Sequence, residues 1–466
     1  MGIASNLFYS TETDKQTLHR RIIPSDEQQQ SQQERWNDLE EYLRGDLVEK
    51  SGYPITSWLQ GSYKFATQIR PSKKGEEFDI DLGIYFGWPG THEDGNYGPG
   101  QLKSLTQSSL ETYMKDAGDE VIEVVTPPKN RCSRIRFTGD FHIDVPSYHS
   151  DPNQYKPALA TEEDIWENSD PKALYEWFKS SASDDDSAQL RRLVRYIKMW
   201  AALHFKDNGS RPTTILLTVL MTEAYVVLTT NEKNGDDLAF KISVEKIIER
   251  LNTNLTINNP VDGSESINRL DNQSFALFVS KLNELREISV RALKANGEFE
   301  SAAVWQEAFY HFFPVPTVAQ GDKKNFALVP VKFIPEVSVE AVPKDNNNFR
   351  YSGINEIGPI PKECKLFFVI TNANFLPTGT KIEWVARNEG QDAEYQNDLG
   401  HFAGNGIKIN DYTAYKGTHF MDVIVKSVFG EILGFRRIPV RVSGTVIPSR
   451  NPKRKPGYIR FRSGRR

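Results

Sequence analysis

The chain has 466 residues, a formal net charge of −5, 38% hydrophobic residues and 11% aromatic residues. That length allows about three domains of ordinary size, and the composition excludes a collagen, a wholly disordered chain and a disulfide scaffold. The two cysteines, Cys132 and Cys364, suit a reducing compartment and leave no cysteine set for a metal cluster.

Residues 1–21 lack the apolar core of a signal peptide, and apolar runs such as 224–228 and 366–370 are far short of the roughly 20 residues of a membrane span. A cytoplasmic protein with no membrane partner is expected. Residues 1–33 are mostly polar and end Gln-rich. A helix is expected over 31–50, with Trp36, Leu39, Tyr42, Leu43 and Leu47 as its apolar stripe. A short turn at 58–63 leads into 65–69. Residues 77–86 read as a strand, with Phe78, Ile80, Leu82 and Ile84 on one face and Asp79 and Asp81 on the other. After the turn-rich stretch 87–100, a helix is expected over 102–115 and strands over 121–125, 134–138 and 141–145.

From Asp170 the pattern becomes helical. Asp170 before Pro171 is a helix start, and the segment 173–179 follows it. Ser183 or one of Asp184, Asp185 and Asp186 caps a helix over 187–205, whose stripe includes Leu190, Leu193, Val194 and Ile197. Further helices are expected over 213–229, 244–252, 271–294 and 302–312, then a linker from Pro314 to about Lys324. Strands follow at 365–371, 381–387, 419–427, 431–435 and 438–442, with a hairpin turn at Phe429, Gly430 and Glu431. Several short strands in this compass suggest a small β-sandwich. The last stretch, 449–466, holds Arg450, Lys453, Arg454, Lys455, Arg460, Arg462, Arg465 and Arg466 and no acid. Such a tail either meets an anionic partner or is a solvated end.

The sharpest chemical signal is Asp79-Ile80-Asp81. Carboxylates at i and i+2 of a strand point the same way, and the pair is unfavourable unless a cation lies between them; Mg²⁺, which prefers oxygen ligands and keeps substrate phosphates, meets that need. A second Asp-x-Asp at Asp184 and Asp186 is read as a helix cap, so the spacing alone is not specific. Context distinguishes the first: a Gly61-Ser62 turn precedes it, and Asp144 ends another apolar strand, Phe141-His142-Ile143-Asp144-Val145. Three carboxylates on neighbouring strands can hold two divalent ions, about 4 Å apart, that activate a hydroxyl and stabilise a leaving pyrophosphate. A Gly-Ser turn lets a triphosphate approach backbone N–H groups.

Gly61-Ser62, Asp79-x-Asp81 and Asp144 together resemble the polymerase-beta-like nucleotidyltransferases. The fuller set is Gln60-Gly61-Ser62-Tyr63-Lys64-Phe65-Ala66-Thr67, Phe78-Asp79-Ile80-Asp81-Leu82, Ile143-Asp144-Val145-Pro146, Arg192-x-x-Arg195-x-x-Lys198-x-Trp200 and Arg211-Pro212-Thr213-Thr214. It is similar to the bacterial cGAS/DncV-like nucleotidyltransferases (CD-NTases), the signal synthases of CBASS anti-phage systems. This resemblance covers about residues 30–316. The β-rich end resembles the adenylyl/guanylyl and SMODS C-terminal sensor (AGS-C) domain.

The resemblance implies an α+β fold: a polymerase-beta-like nucleotidyltransferase palm with a helical half, followed by a small β-sandwich-like domain. The expected divisions are a palm with its N-terminal helix over 1–160, a helical domain over 161–316 completing the cleft, a linker over 317–330, the β-rich domain over 331–445 and the basic tail over 446–466. Asp79, Asp81 and Asp144 are the expected catalytic metal ligands for Mg²⁺ or Mn²⁺. Gly61 and Ser62 match the phosphate-binding motif, Gln60 stands beside it, and Lys198 is similar to a lysine on the donor triphosphate. Thr213 or Thr214 takes the place of a small hydroxyl residue near the same phosphates, with a helix cap as its plainer reading.

The expected reaction joins ATP and other NTPs, without a template, into a cyclic di- or trinucleotide that reaches a downstream effector in anti-phage defence. Two rivals remain at this level. One keeps the active site and makes a linear oligomer or modifies an RNA end or a protein. The other is a sensor that binds nucleic acid or another ligand through the C-terminal domain and basic tail. Arg191, Arg192 and Arg195 read as a solvated face, His142 and His204 as structural, with a site role left open for His142 because it shares the strand face of Asp144 two residues on, and Phe367, Phe368, Trp384, Phe420 and Phe435 as core.

Overall fold

The computed structural model describes residues 2–12, 16–205, 209–316, 333–428 and 430–448. The expected linker 317–330, the tail from 449 onward and Phe429 of the expected hairpin turn lie outside the described residues. The chain folds into two units, residues 2–316 with Tyr395–Asp398, and residues 333–394 with 399–448.

The first unit opens with two short helices, α1 (Ser5–Phe8) and α2 (Leu18–Ile22), within the stretch read as merely polar. Phe8 is the reason: it is fully buried and meets Tyr196, Trp305, Phe309 and Phe313 edge-on. Helix α3 (Asp26–Ser51) begins earlier than the apolar stripe suggests, because Ser25 and Gln28 form a capping box. It ends at Gly52 in the left-handed conformation. Strand β1 (Ile55–Gln60) and the single turn α4 (Gly61–Lys64) follow, where a turn alone was expected. Then come β2 (Phe78–Gly87) and α5 (Pro99–Ala117).

Strands β3 (Val121–Val124), β4 (Ser133–Phe137), β5 (Phe141–Val145), β6 (Ser147–Ser150), β7 (Ala158–Ala160) and β8 (Trp166–Asn168) complete an eight-stranded sheet of order β3-β4-β5-β2-β6-β7-β8, with β1 on β2. The long β2 is the axis of this sheet. Its first half pairs in parallel with β5 and its second half with β6, the chain stepping from one to the other at Pro146. Phe78, Ile80, Leu82, Ile84 and Phe86 are at most 2% exposed and pack with Leu39, Leu43 and Leu47 of α3 and Leu102 and Leu110 of α5. Each such side chain contributes about 1.5–3 kcal/mol on burial, so the sheet face bearing Asp79 and Asp81 is fixed by the opposite one.

Helices α6 (Pro171–Ser180), α7 (Asp184–His204), α8 (Thr214–Val226) and α9 (Asp236–Thr253) follow. A small hairpin, β9 (Asn258–Asn259) and β10 (Asp262–Ser266), leads to α10 (Asn272–Leu293) and α11 (Glu298–Phe309). Ser183 is the cap of α7, and Asp184 and Asp186, read as the cap, stand instead in its first turn, where they favour the helix N-terminus. Among the described residues no helix is long and apolar enough to cross a membrane.

The second unit holds β11 (Val337–Pro343), β12 (Tyr351–Ile354), β13 (Ile357–Lys362), β14 (Cys364–Ile370), β15 (Lys381–Arg387), β16 (Gly400–Asn405), β17 (Lys408–Tyr412), β18 (Gly417–Lys426) and β19 (Ile432–Val446). They form a four-stranded sheet, β12-β11-β14-β17, and a five-stranded sheet, β13-β19-β18-β15-β16. One core joins Val339 and Phe368 of the first sheet to Trp384, Val423 and Val440 of the second, which makes a β-sandwich. The fold is thus the expected α+β palm with helices, followed by a β-sandwich. Phe368 and Trp384 are core; Phe367, Phe420 and Phe435 are only half-buried and lie outside it, Phe367 because it alternates onto the outer face.

The two strands expected at 431–435 and 438–442 are one strand. Arg436 and Arg437 read as a break, yet Arg437 gives two hydrogen bonds of 2.8 Å to Asp422 directly opposite it. Arg387 gives Asp422 a third of 2.7 Å, with Asp422 fully buried. Burial alone would raise the Asp422 carboxyl, but the two guanidinium groups outweigh it and hold it below the ordinary carboxylate range. Its folded-state value being depressed, this contribution is present above the ordinary carboxylate pKa and is lost as pH falls through the folded one. Asp422→Asn leaves two cations without their counter-charge. It is expected to lower the opening free energy of β15, β18 and β19 by about 3–5 kcal/mol, read by native-state hydrogen exchange of those strands; unchanged protection would show that the ion cluster does not hold the sheet.

Candidate active site

The period of two along β2 places Asp79 and Asp81 on the face turned from α3 and α5. Strand β5 runs parallel beside it, with Asp79 opposite His142 and Asp81 opposite Asp144. Three carboxylates and an imidazole therefore collect on two neighbouring strands. Ligand atoms of Asp79, His142 and Asp144 all lie within 4.8 Å of one another.

The electrostatics are uneven. Arg134, opposite Asp144 across β4 and β5, donates to both its oxygens, Nε to Oδ1 at 2.5 Å and Nη2 to Oδ2 at 2.7 Å, and Lys129 Nζ stands 3.5 Å from Oδ2. Burial would raise Asp144, but Arg134, Lys129 and His142 together hold it below the ordinary carboxylate range. Asp81 goes the other way: burial first, then the charges of Asp79 and Asp144, push it well above that range, and Arg134 and Lys129 offset only part. His142 bridges the group, its Nδ1 2.8 Å from Glu77 and its Nε2 2.9 Å from Asp79. A cluster of three carboxylates beside one imidazole, in which burial and the neighbouring charges drive one carboxylate toward protonation, fits a hard divalent cation, whose charge relieves that repulsion.

Gly61 closes the site on the other edge. Gln60, the last residue of β1, pairs with Asp81 in register. The next residue must turn away over the carboxylate. Gly61 has φ +57°, and a Cβ there would stand 2.0 Å from Asp81 Oδ2. Only glycine satisfies both conditions. Ser62 follows, half-buried in α4. The Gln60 side chain turns into the sheet, its amide donating to Tyr85 (3.0 Å) and accepting from Tyr148 (3.2 Å). Gly83 leaves room for it, since a Cβ there would meet Gln60 Nε2 at 2.0 Å.

Helix α7 holds the segment after the Gly-Ser turn. Arg191 donates to the Phe65 carbonyl (3.3 Å), Arg195 to that of Gln68 (3.3 Å), and Lys198 Nζ to Thr67 Oγ1 (2.9 Å). These positions lie on one helix face, and Arg192 pairs with Asp236 at 2.6 Å. The arginines read as a solvated face are therefore the clamp on residues 65–68 and an ion pair beside it. Lys198 is 4% exposed; burial first, then the Arg195 charge, brings its ammonium down to about 7, against a smaller opposing pull from Asp81. Thr213 is the N-cap of α8, accepting from the Leu216 N–H at 3.4 Å. Thr214 is the first residue of that helix, exposed, its carbonyl accepting from Thr218.

Sequence reasoning missed Arg134, Lys129 and Thr67, and gave His142 a structural role. His142 shares Asp144's face two residues earlier, which keeps a site role open beside the structural one; for Arg134 the signal was also strand parity, since it lies in the next strand of the same hairpin. Lys129 and Thr67 lie in loops, where no periodicity points.

Residues 55–148 match the family described as cyclic GMP-AMP synthase DncV-like, nucleotidyltransferase domain. Residues 320–443 match the adenylyl/guanylyl and SMODS C-terminal sensor domain. A cyclic GMP-AMP synthase of Escherichia albertii is 29% identical over 455 residues, 97% of this chain and 98% of that protein. A c-di-GMP synthase of Roseivirga ehrenbergii is 26% identical over 303 residues, 58% of this chain and 76% of that one. In fold, the chain is similar to the Vibrio cholerae DncV cyclic AMP-GMP synthase solved with a linear intermediate, with a TM-score of 0.55, 20% identity, and coverage of 67% of this chain and 96% of that one. Fold and relatives together define a nucleotidyltransferase of the cyclic oligonucleotide synthase class. The matched regions and the relatives support a CD-NTase with a DncV-like nucleotidyltransferase domain and an AGS-C C-terminal sensor domain.

Gly61→Ala tests the closeness of the turn to Asp81. Displacing that carboxylate by about an ångström is expected to lower NTP-dependent pyrophosphate release about 100-fold while the protein stays folded by circular dichroism. Activity near the wild type would show that this close approach does not set the site.

Proposed function

We propose that the chain is a Mg²⁺-dependent, template-independent enzyme, with Mn²⁺ able to substitute, that joins NTPs, ATP among them, into a cyclic di- or trinucleotide. The observation that carries this reading is the placement of Asp79, Asp81 and Asp144 on one face of β2 and β5 beside Gly61. The near full-length alignment with a cyclic GMP-AMP synthase supports a cyclic dinucleotide containing adenine and guanine. The product would serve as a cytoplasmic second messenger in anti-phage defence, read by a downstream effector.

In this reading Asp79, Asp81 and Asp144 hold the metal, which when bound neutralises phosphate charge and lowers the pKa of the attacking hydroxyl. His142 orients Asp79 from its position between Glu77 and Asp79. Arg134 keeps Asp144 ionised and fixed in direction. The backbone at Gly61 and Ser62 admits the triphosphate close to its N–H groups, Lys198 with Thr67 sets the segment behind it, and Thr213 or Thr214 approaches the same phosphates from the helical side. Gln60 acts from behind, through Tyr85 and Tyr148, to keep the end of β1 in place. Residues 1–160 supply the palm and 161–316 the helical wall of the cleft. The hydroxyl of one nucleotide attacks the α-phosphate of another in line, pyrophosphate leaves, and a second transfer within the linear product closes the ring.

Product analysis tests the reading. The protein is incubated with each NTP and with mixtures, in Mg²⁺ and then Mn²⁺, beside Asp79→Asn/Asp81→Asn. A phosphatase-resistant product identified by mass, absent from the variant, is expected. A product that phosphatase degrades would replace cyclisation with linear synthesis, and pyrophosphate release retained by the variant would remove the carboxylates from the reaction.

Lys198 gives a pH dependence. Its proton is lost as pH rises through about 7, and a triphosphate favours the charged form. The KM for NTP is expected to rise above that pH, by at most about tenfold per unit, while Lys198→Arg, which stays charged, flattens the rise. A KM independent of pH in the wild type would place Lys198 outside the binding step.

A further inference from the structure

The outer face of the four-stranded sheet in the second unit carries a groove of about 400 Å³. Its floor is built by strand parity. Core residues Ala341, Leu366 and Phe368 point inward, which sends Val342, Lys365 and Phe367 outward. Tyr412 of β17 stands directly opposite Lys365 and is 60% exposed. The loop between β11 and β12 supplies Lys344 and Arg350 to the rim. Lys365 Nζ lies 5.1 Å from the centroid of the Phe367 ring.

Two features set this face apart from ordinary strand surface. Among the described residues, Lys344, Arg350 and Lys365 have no ion-pair partner, and the groove's one acid is Glu340. The two aromatic rings, on adjacent strands, are unlike the scattered single apolar residues normal at a surface. Cations without counter-charges around an exposed and a half-buried ring complement a ligand that is both anionic and flat. A carboxylate or a phosphate alone would leave the rings unused, and an apolar ligand would leave the cations unneutralised. A nucleotide unit uses both: its base lies on an aromatic face, and its phosphate meets Lys and Arg. The groove volume falls within the range of small-ligand sites.

We propose that the outer face of the sheet β12-β11-β14-β17 is a nucleotide-binding site. A base stacks on Phe367 or Tyr412, and its phosphate is held by Lys344, Arg350 and Lys365. The ligand is either a free nucleotide or one residue of a single strand, and the same chemistry serves both. The site is independent of the catalytic reading, since none of its residues belongs to the carboxylate cluster.

The test uses the full chain carrying Asp79→Asn and Asp81→Asn, so that no probe is consumed. Fluorescence anisotropy follows a short labelled oligoadenylate lacking a terminal triphosphate, with AMP and ATP as competitors. Tyr412→Ala and Phe367→Ala are each expected to weaken binding about tenfold, and Tyr412→Phe to restore it. Tyr412 is exposed, so its substitution leaves the fold intact even if Phe367→Ala does not. Lys344→Ala with Arg350→Ala should lower the slope of log affinity against log salt by about 0.7 for each phosphate no longer neutralised. Displacement of the probe by AMP, with the same sensitivity to Tyr412→Ala, assigns the site to a free nucleotide; failure of AMP to displace it assigns the site to a strand.

Binding unaffected by either aromatic substitution, as the basic stretch 449–466 acting alone would give, overturns the proposal. So does the absence of binding by both probe types. Either result leaves pyrophosphate release by the wild type, and with it the catalytic reading, untouched.

Discussion

Asp79, Asp81 and Asp144 repel one another, and much of the first unit can be understood as the means of keeping them together. Two unit charges 4 Å apart in a protein environment interact by about 4 kcal/mol, so a fold that gathers three must fix them by other means. It does so from the far side of the sheet. Phe78, Ile80 and Leu82 are locked against α3 and α5, and the parity of β2 then leaves the aspartates no other face. On the near side Arg134 and Lys129 lean on Asp144 and His142 leans on Asp79. Asp81 gains only the more distant, partial relief of Arg134 and Lys129, and carries the unrelieved part of the repulsion. It is the point at which an added cation changes the energy most.

The same carboxylate sets the shape of the chain above it. The pairing of β1 with β2 runs to Gln60 and Asp81 and must stop there. Any side chain at position 61 would collide with Asp81, so the turn is written in glycine and the backbone passes directly over the charge. The next segment, 65–68, is held through its carbonyls and the Thr67 hydroxyl by side chains of α7. A sheet residue, a turn residue and a helix face thus depend on one another in sequence. Moving α7 would move the segment behind Gly61 before it moved any carboxylate.

The parts of this arrangement that could be read from the sequence are those with a period. Alternation exposed Asp79 and Asp81 and placed Asp144 on a second apolar strand; the 3.6-residue stripe exposed α7 with its cap at Ser183. The parts that could not be read lack one. Strand β1 is polar at its centre and is made a strand by pairing with β2. Residues 1–33 read only as mostly polar because their few apolar residues are scattered, and Phe8 among them is buried by partners far along the chain, at Tyr196, Trp305 and Phe313. Charge misled in two places for one reason. Arg191 and Arg195 read as solvated, and Arg436 with Arg437 as a strand break, because the carbonyls and the Asp422 that engage them are distant in sequence.

The second unit shows how charge is treated when it has a partner and when it has none. Inside it, Asp422 is satisfied by two guanidinium groups, and their three hydrogen bonds let a strand run unbroken through a pair of arginines. On the outer face of the other sheet, Lys344, Arg350 and Lys365 line a groove with two aromatic rings, where Glu340 is the one acid among the described lining residues. Both arrangements come from the alternation that builds the sandwich core, which turns every second residue of β11 and β14 outward whatever its chemistry. A strand face that owed nothing to a ligand would be expected to carry mixed charges, small polar groups or a gatekeeping lysine. Aromatic rings in that position add apolar surface exposed to water and make the edge of the sheet more prone to association. Their presence beside cations that have no ion-pair partner among the described residues is met by one kind of ligand, a planar anionic group that removes both penalties at once.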